Sequence, residues 1–175
     1  MFARWITKKY FGPPGCILDI GAGDGTTMQA FEDIGFEAKG CDLYPQTKEI
    51  KKVDLEKEKL PYKSKQFDYV ISKWVIEYLW QAHNMLSEAN RVLKDGGRIA
   101  ILTVDFSRAF RRFYNDFEHK RPYTKDSLRR LLNHHDFEII EVENFSHIPL
   151  IWRWTTFAFD LRFWPRRGLF ALAKK

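Results

Sequence analysis

The sequence predicts an α/β fold, doubly wound around a mostly parallel sheet, and three observations carry that prediction. Short apolar runs alternate with stretches of helical periodicity from residue 16 onward, which is the pattern of repeated β-α-β units. The stretch "ILDIGAGDG", residues 17–25, runs from apolar residues through Asp19 into three glycines, as a strand does when it turns sharply into a helix. A chain of 175 residues with 45% apolar and 30% charged residues is large enough and apolar enough for one sizeable core. Residues 1–175 are therefore expected to form a single domain, with an aromatic and basic insertion over 146–167 ahead of the last strand.

The elements follow in order. "GCILDI" is a short buried strand ending at the glycine loop. "GTTMQAFEDIG" is a helix with Met28, Phe31 and Ile34 on one face and Gly35 as its stop. "FEAKGCDL" is a strand that ends in Asp42, and "IKKVDL" is a shorter one ending near Asp54 and Leu55. A charged connection, "EKEKLPYKSKQ", leads to the strand "FDYVIS". "AHNMLSEANRVLK" places Met85, Leu86, Ala89, Val92 and Leu93 on one helical face, closed by Gly96 and Gly97. "GRIAILTV" is a buried strand. "TKDSLRRLLNHH" is a helix capped by Thr124 that buries Leu128, Leu131 and Leu132. "FEIIEVENF" and "GLFALAKK" complete the strands.

Composition excludes several classes. No apolar run reaches the about 18 residues of a transmembrane helix, and the N-terminus lacks the apolar core and cleavage site of a signal peptide. Cys16 and Cys41 cannot build a disulfide framework and read as buried free thiols, so a cytoplasmic location is the default. The net charge is +6, and residues 146–175 hold six Lys/Arg against Asp160 alone. Attraction to anionic partners is thus concentrated in the C-terminal segment.

The glycine loop specifies a ligand class. Gly21, Gly23 and Gly25 let a ligand approach the backbone closely, and the following helix offers free N–H groups to an anion. Asp42 ends the second strand, where an acidic side chain accepts hydrogen bonds from both hydroxyls of a ribose. Together these indicate an adenosine-type cofactor. The dinucleotide fingerprint needs Gly or Ala where this chain has Thr26, which argues against a nucleotide-dependent oxidoreductase.

The ordered motifs resemble a class I S-adenosylmethionine-dependent methyltransferase. "LDIGAGDG" resembles the first motif of that family, "GCDLYP" the second, and "VDLEKEKLPYKSKQFDYVIS" the adenine-flanking stretch with the fourth strand. "EANRVLKDGGRIAIL" resembles its turn into the fifth strand, with Asp95 where proline is usual, and "GLFALAKK" its last, antiparallel strand. The resemblance implies a seven-stranded Rossmann-like sheet and S-adenosylmethionine as cofactor. It implies that Asp19 and the loop Gly21, Ala22, Gly23, Asp24 and Gly25 cradle the methionine part. Asp42 would hold the ribose, with Leu43 against the adenine. Asp54 would meet the adenine amino group, unless it is simply a solvated turn residue, and Leu55 would pack on the ring or donate its N–H. Lys73 would sit beside the sulfonium through its backbone carbonyl. Only about fifteen residues precede the first strand, where relatives have closing helices, so a partner subunit, the C-terminal segment or further chain would supply the lid.

"HKRPYT" resembles the segment that lines the acceptor pocket in many small-molecule and glycan-modifying members. His119 is the candidate base there and Tyr123 a positioning group, against the plain reading of His119 as a solvated loop residue. His83, His134, His135 and His147 have less to recommend them, and no metal site is expected. Between the last two strands, Leu150, Trp154, Phe157, Leu161 and Trp164 fall at helical spacing. That segment reads as a packing helix, as an acceptor wall, or as a peripheral membrane contact through 150–167. The acceptor expected is a small molecule, lipid or glycan. "SKWVIEYL" lacks the motif of nucleic-acid amine methylation, so nucleic acid is disfavoured as a partner; a homodimer, an RNA methyltransferase and an inactive scaffold of the same fold stay open.

Overall fold

The computed structural model describes residues 2–145 and 168–175. The expected helix over 150–164, His147 and the membrane or acceptor roles of 150–167 lie outside the described residues.

Among the described residues seven strands form one sheet: β1 (Cys16–Ile20), β2 (Glu37–Asp42), β3 (Ile50–Lys52), β4 (Phe67–Lys73), β5 (Leu93–Val104), β6 (Glu138–Phe145) and β7 (Gly168–Lys174). Their order is β3-β2-β1-β4-β5-β7-β6. β1 to β5 pair in parallel, and β7 runs antiparallel to both β5 and β6. This is the doubly wound, Rossmann-like sheet with an antiparallel last strand. Strand order reverses between β1 and β4, so a crevice opens at their carboxyl ends.

Strand alternation builds two cores. Leu18, Val70, Ile99, Ile101 and Leu169 face one side, while Ile17, Ile71, Leu102 and Phe170 face the other. The first side is covered by α3 (His83–Val92) and α5 (Lys125–His134), which bury Met85, Leu86, Ala89, Leu128 and Leu132. The second is covered by α1 (Phe2–Ile6) and α2 (Thr26–Glu32) with Met28 and Phe31. Burial on both faces explains why the central strands read as near-continuous apolar runs. Of the two thiols, Cys41 is buried and Cys16 only partly so.

Several boundaries differ from expectation. Residues 2–11 form α1 and a π-helical turn, Thr7–Phe11, for which the sequence offers no periodicity long enough to read. Aromatic packing places them: Trp5 meets Phe170 at 5.6 Å and Phe11 stacks on Tyr69 at 4.6 Å. The strand expected over 50–55 ends at Lys52: Val53 still donates to the Asp42 carbonyl of β2 at 2.9 Å, and the chain then turns as the Asp54 carbonyl accepts from the Lys57 and Glu58 N–H groups at 3.2 and 2.8 Å. α2 stops at Glu32, and a tighter Ile34-to-Phe31 bond of 3.1 Å ends it short of Gly35. α3 stops at Val92: Leu93, expected on the helix, opens β5 and pairs with Phe67. α5 starts as expected, with Thr124 and Ser127 forming a reciprocal capping box. A short helix, α4 (Phe106–Ala109), follows β5.

Candidate active site

The glycine loop leaves β1 at the switch point. Gly21 and Ala22 both donate to the Cys41 carbonyl, at 2.8 and 3.1 Å, which ties the loop to β2. Gly21 has φ +80°, and a Cβ there would overlap Val75 Cγ2. At Gly23 the opposite holds: φ is +53° and a Cβ would meet nothing within 4 Å. The loop is thus closed on the protein side at Gly21 and open at Gly23, a cradle that a side chain would fill. Gly21→Ala is expected to destabilise the fold by roughly 2–5 kcal/mol through backbone strain and overlap. Gly23→Ala is expected to retain most of the stability yet weaken cofactor binding; chemical denaturation beside a cofactor titration separates the two effects.

Asp42 faces this cradle from the end of β2. Its Oδ2 accepts from the Gly23 N–H at 2.9 Å and its Oδ1 from the Tyr44 N–H at 2.8 Å. An ionised carboxylate has about four acceptor positions, so two remain for other donors. Asp24 accepts from the Thr26 N–H at 2.9 Å, a bond that holds its carboxyl below the usual range.

Asp19, Ile71 and Lys73 share one face of the sheet by alternation. Burial pushes the Asp19 carboxyl up to about 7; the Lys73 ammonium opposes that shift, and Asp42 and Asp24 add to it. Lys73 is the last residue of β4 rather than a residue beyond it. Its Nζ donates to Thr27 Oγ1 at 2.7 Å and lies 5.9 Å from the Phe2 ring. The side chain is therefore engaged with α2, although only its carbonyl was expected to matter.

The adenine-side residues are less uniform. Leu43 is 39% exposed and the adjoining Tyr44 76%. Leu55 is buried in the core, which leaves its main chain as the part able to meet a ligand. The Asp54 carboxylate accepts from the Glu56 N–H at 3.0 Å and pairs with Lys57 at 3.5 Å, so it organises the turn that it opens.

The segments after β4 and β5 emerge at the same sheet edge. His119 is packed rather than solvated: its side chain is 12% exposed, between Phe113 at 4.7 Å and Tyr78 at 4.9 Å. Its Nδ1 donates to the Phe113 carbonyl at 2.7 Å, which leaves Nε2 as the acceptor, 3.7 Å from Asp116 Oδ2. Tyr123 is buried, and its hydroxyl has no hydrogen-bond partner among the described residues. Burial pushes that phenol up to about 12.

Sequence reasoning missed Glu77. It is 1% exposed, its Oε2 accepts from Thr103 Oγ1 at 2.8 Å, and its carbonyl accepts from the N–H groups of Lys120 and Arg121. Burial pushes its carboxyl up to about 7, against the Thr103 bond and the nearby His119. One acid inside the apolar run "WVIEYL" was the available signal. Asp105 was also missed: it is buried at the end of β5 and accepts from Ser107 and from Asn144.

Residues 3–142 match the family model described as Methyltransferase domain, and the chain belongs to that family. Its fold is the one shared by solved S-adenosylmethionine-dependent methyltransferases. It is 32% identical over 117 residues to an uncharacterized protein of Methanocaldococcus jannaschii, covering 66% of this chain and 57% of that one. It is 26% identical over 104 residues to a demethylmenaquinone methyltransferase of Tropheryma whipplei, covering 54% of this chain and 44% of that one. The matches thus span about half the length of these relatives. A crystal structure of a methyltransferase dependent on S-adenosylmethionine, from Archaeoglobus fulgidus, superposes with a TM-score of 0.75 at 20% identity, over 99% of this chain and 93% of that one. The open cradle at Gly23 and the remaining acceptor capacity of Asp42 fit that cofactor.

Proposed function

We propose that the chain methylates an apolar small-molecule or lipid acceptor, with His119 taking the acceptor's proton. The observation that carries this reading is the exposed aromatic group Phe110, Tyr114 and Phe117, which follows β5 at the edge where the glycine loop opens. Three large aromatics left in water on one short segment suit a flat or greasy ligand. The similarity to a demethylmenaquinone methyltransferase supports the same class of acceptor.

Bound S-adenosylmethionine supplies an electrophilic methyl group. The chain supplies position and a proton acceptor. The loop from Gly21 to Gly25 would hold the methionine part, with Asp19 and Lys73 beneath it. Asp42 would take the ribose, and the main chain at Leu55 with Leu43 would flank the adenine. The Phe113 carbonyl holds His119 in the tautomer with Nε2 as the acceptor, and Asp116 Oδ2 stands 3.7 Å from that nitrogen. Tyr123 would position the acceptor through its unpartnered hydroxyl.

The test is turnover with S-adenosylmethionine against panels of hydroquinones, phenols, sterols and monosaccharides. Methylation of an apolar panel is expected, with His119→Ala lowering kcat by about 10²–10⁴-fold while cofactor affinity holds. Sugar methylation alone, or full turnover in His119→Ala, would overturn the reading.

A further inference from the structure

Far from the glycine loop in sequence, α3 begins and α5 ends in imidazoles. His83 is the first residue of α3, His134 the last of α5, and His135 caps α5. One ring nitrogen from each lies within 4.8 Å of the others. His83 Nδ1 and His135 Nε2 are already 2.9 Å apart and share a proton.

We propose that His83, His134 and His135 form a binding site for a late first-row divalent cation, represented by Zn²⁺, which clamps the start of α3 to the end of α5. The donor set decides the class of ion. Three neutral imidazoles suit zinc, nickel or copper, whereas magnesium and calcium need oxygen ligands. Zn–N distances of about 2.0–2.1 Å place tetrahedral nitrogens roughly 3.4 Å apart. His83 and His134 are exposed and can rotate by the fraction of an ångström to a few ångströms that this requires. The ion would displace the proton between His83 and His135 into solvent, and water would complete the fourth position.

A second set of contacts aims the least mobile ligand. His135 Nδ1 meets Ser87 Oγ at 3.2 Å, and the His135 carbonyl accepts from Asn90 Nδ2 at 3.0 Å. Ser87 and Asn90 stand one and two turns beyond His83 on the same face of α3. A hydrogen bond at Nδ1 leaves Nε2 directed at the cluster, as the outer partners of metal-bound histidines do.

The experiment is calorimetric titration of the chelator-treated full chain with ZnCl2, repeated with Co²⁺ to read its visible absorption. One equivalent is expected to bind and to raise the melting temperature, with a tetrahedral Co²⁺ spectrum. His83→Ala and His134→Ala are each expected to weaken binding by more than about 100-fold, and Ser87→Ala by about tenfold. His119→Ala, elsewhere in the fold, is expected to bind normally. Circular dichroism and cofactor binding verify that each variant is folded. Unchanged Zn²⁺ binding in a folded His83→Ala, or uptake only in large excess at several sites, would overturn the proposal.

Discussion

Asp42→Ala is expected to weaken S-adenosylmethionine binding by about 10²–10⁴-fold while leaving a folded protein. In the proposed placement the carboxylate accepts from two ribose hydroxyls, and a hydrogen bond to a charged group contributes about 1.5–3 kcal/mol. Two such bonds convert to that range of affinity. The geometry adds a second loss. Asp42 also receives the N–H groups of Gly23 and Tyr44, so its removal frees the rim of the cradle as well as the ribose. Asp42→Asn separates the two. Its amide oxygen can keep one acceptor role, so an intermediate loss is expected. Calorimetric titration of the three proteins reads the effect, and a melting curve shows that β2 is intact. Undiminished binding in Asp42→Ala would place the ribose elsewhere and remove the basis for the adenosine-side assignments.

The place of Asp42 at the end of β2, facing the glycine loop, was legible from an acid that closes a strand-like run after a glycine-rich turn. The central strands were legible for a related reason: a strand buried on both faces has no polar alternation to confuse with a helix. Legibility failed where distant contacts decide. Leu93 satisfies the helical period of α3 as well as a strand, and its pairing with Phe67 settles the matter. α1 is five residues long, too short to show a period, and exists because Phe2 and Trp5 pack against Phe145 and Phe170. His83 and His135 are 52 positions apart, and no local pattern joins them. His119 was singled out by the resemblance of its segment, but its packing was not legible, since the rings of Phe113 and Tyr78 that enclose it are brought together by the fold.

Glu77 shows how one such hidden residue should register in both stability and chemistry. Its carboxyl ionises near 4.5 in the unfolded chain and near 7 when folded, because burial penalises the charge. Between those values the folded chain holds a proton that the unfolded chain has lost. Stability therefore falls as pH rises through this window; the contribution is complete below 4.5 and gone above about 7. A shift of that size corresponds to about 3 kcal/mol. Glu77→Gln keeps an oxygen for the Thr103 hydroxyl and removes the charge. It is expected to melt roughly 5–10 °C above the natural protein at pH 8, with the difference shrinking to within about 1 kcal/mol at pH 5. Asp19 also titrates near 7, but it is present in both proteins and cancels in the comparison. The same substitution removes a negative charge near His119, so kcat is expected to fall by about tenfold or more while S-adenosylmethionine still binds. A variant that is more stable at alkaline pH and slower in turnover would mark Glu77 as a buried charge retained for catalysis. Equal melting curves at pH 5 and pH 8 would instead mean that this carboxyl ionises as readily in the folded protein as in the unfolded chain, so that burial does not penalise its charge.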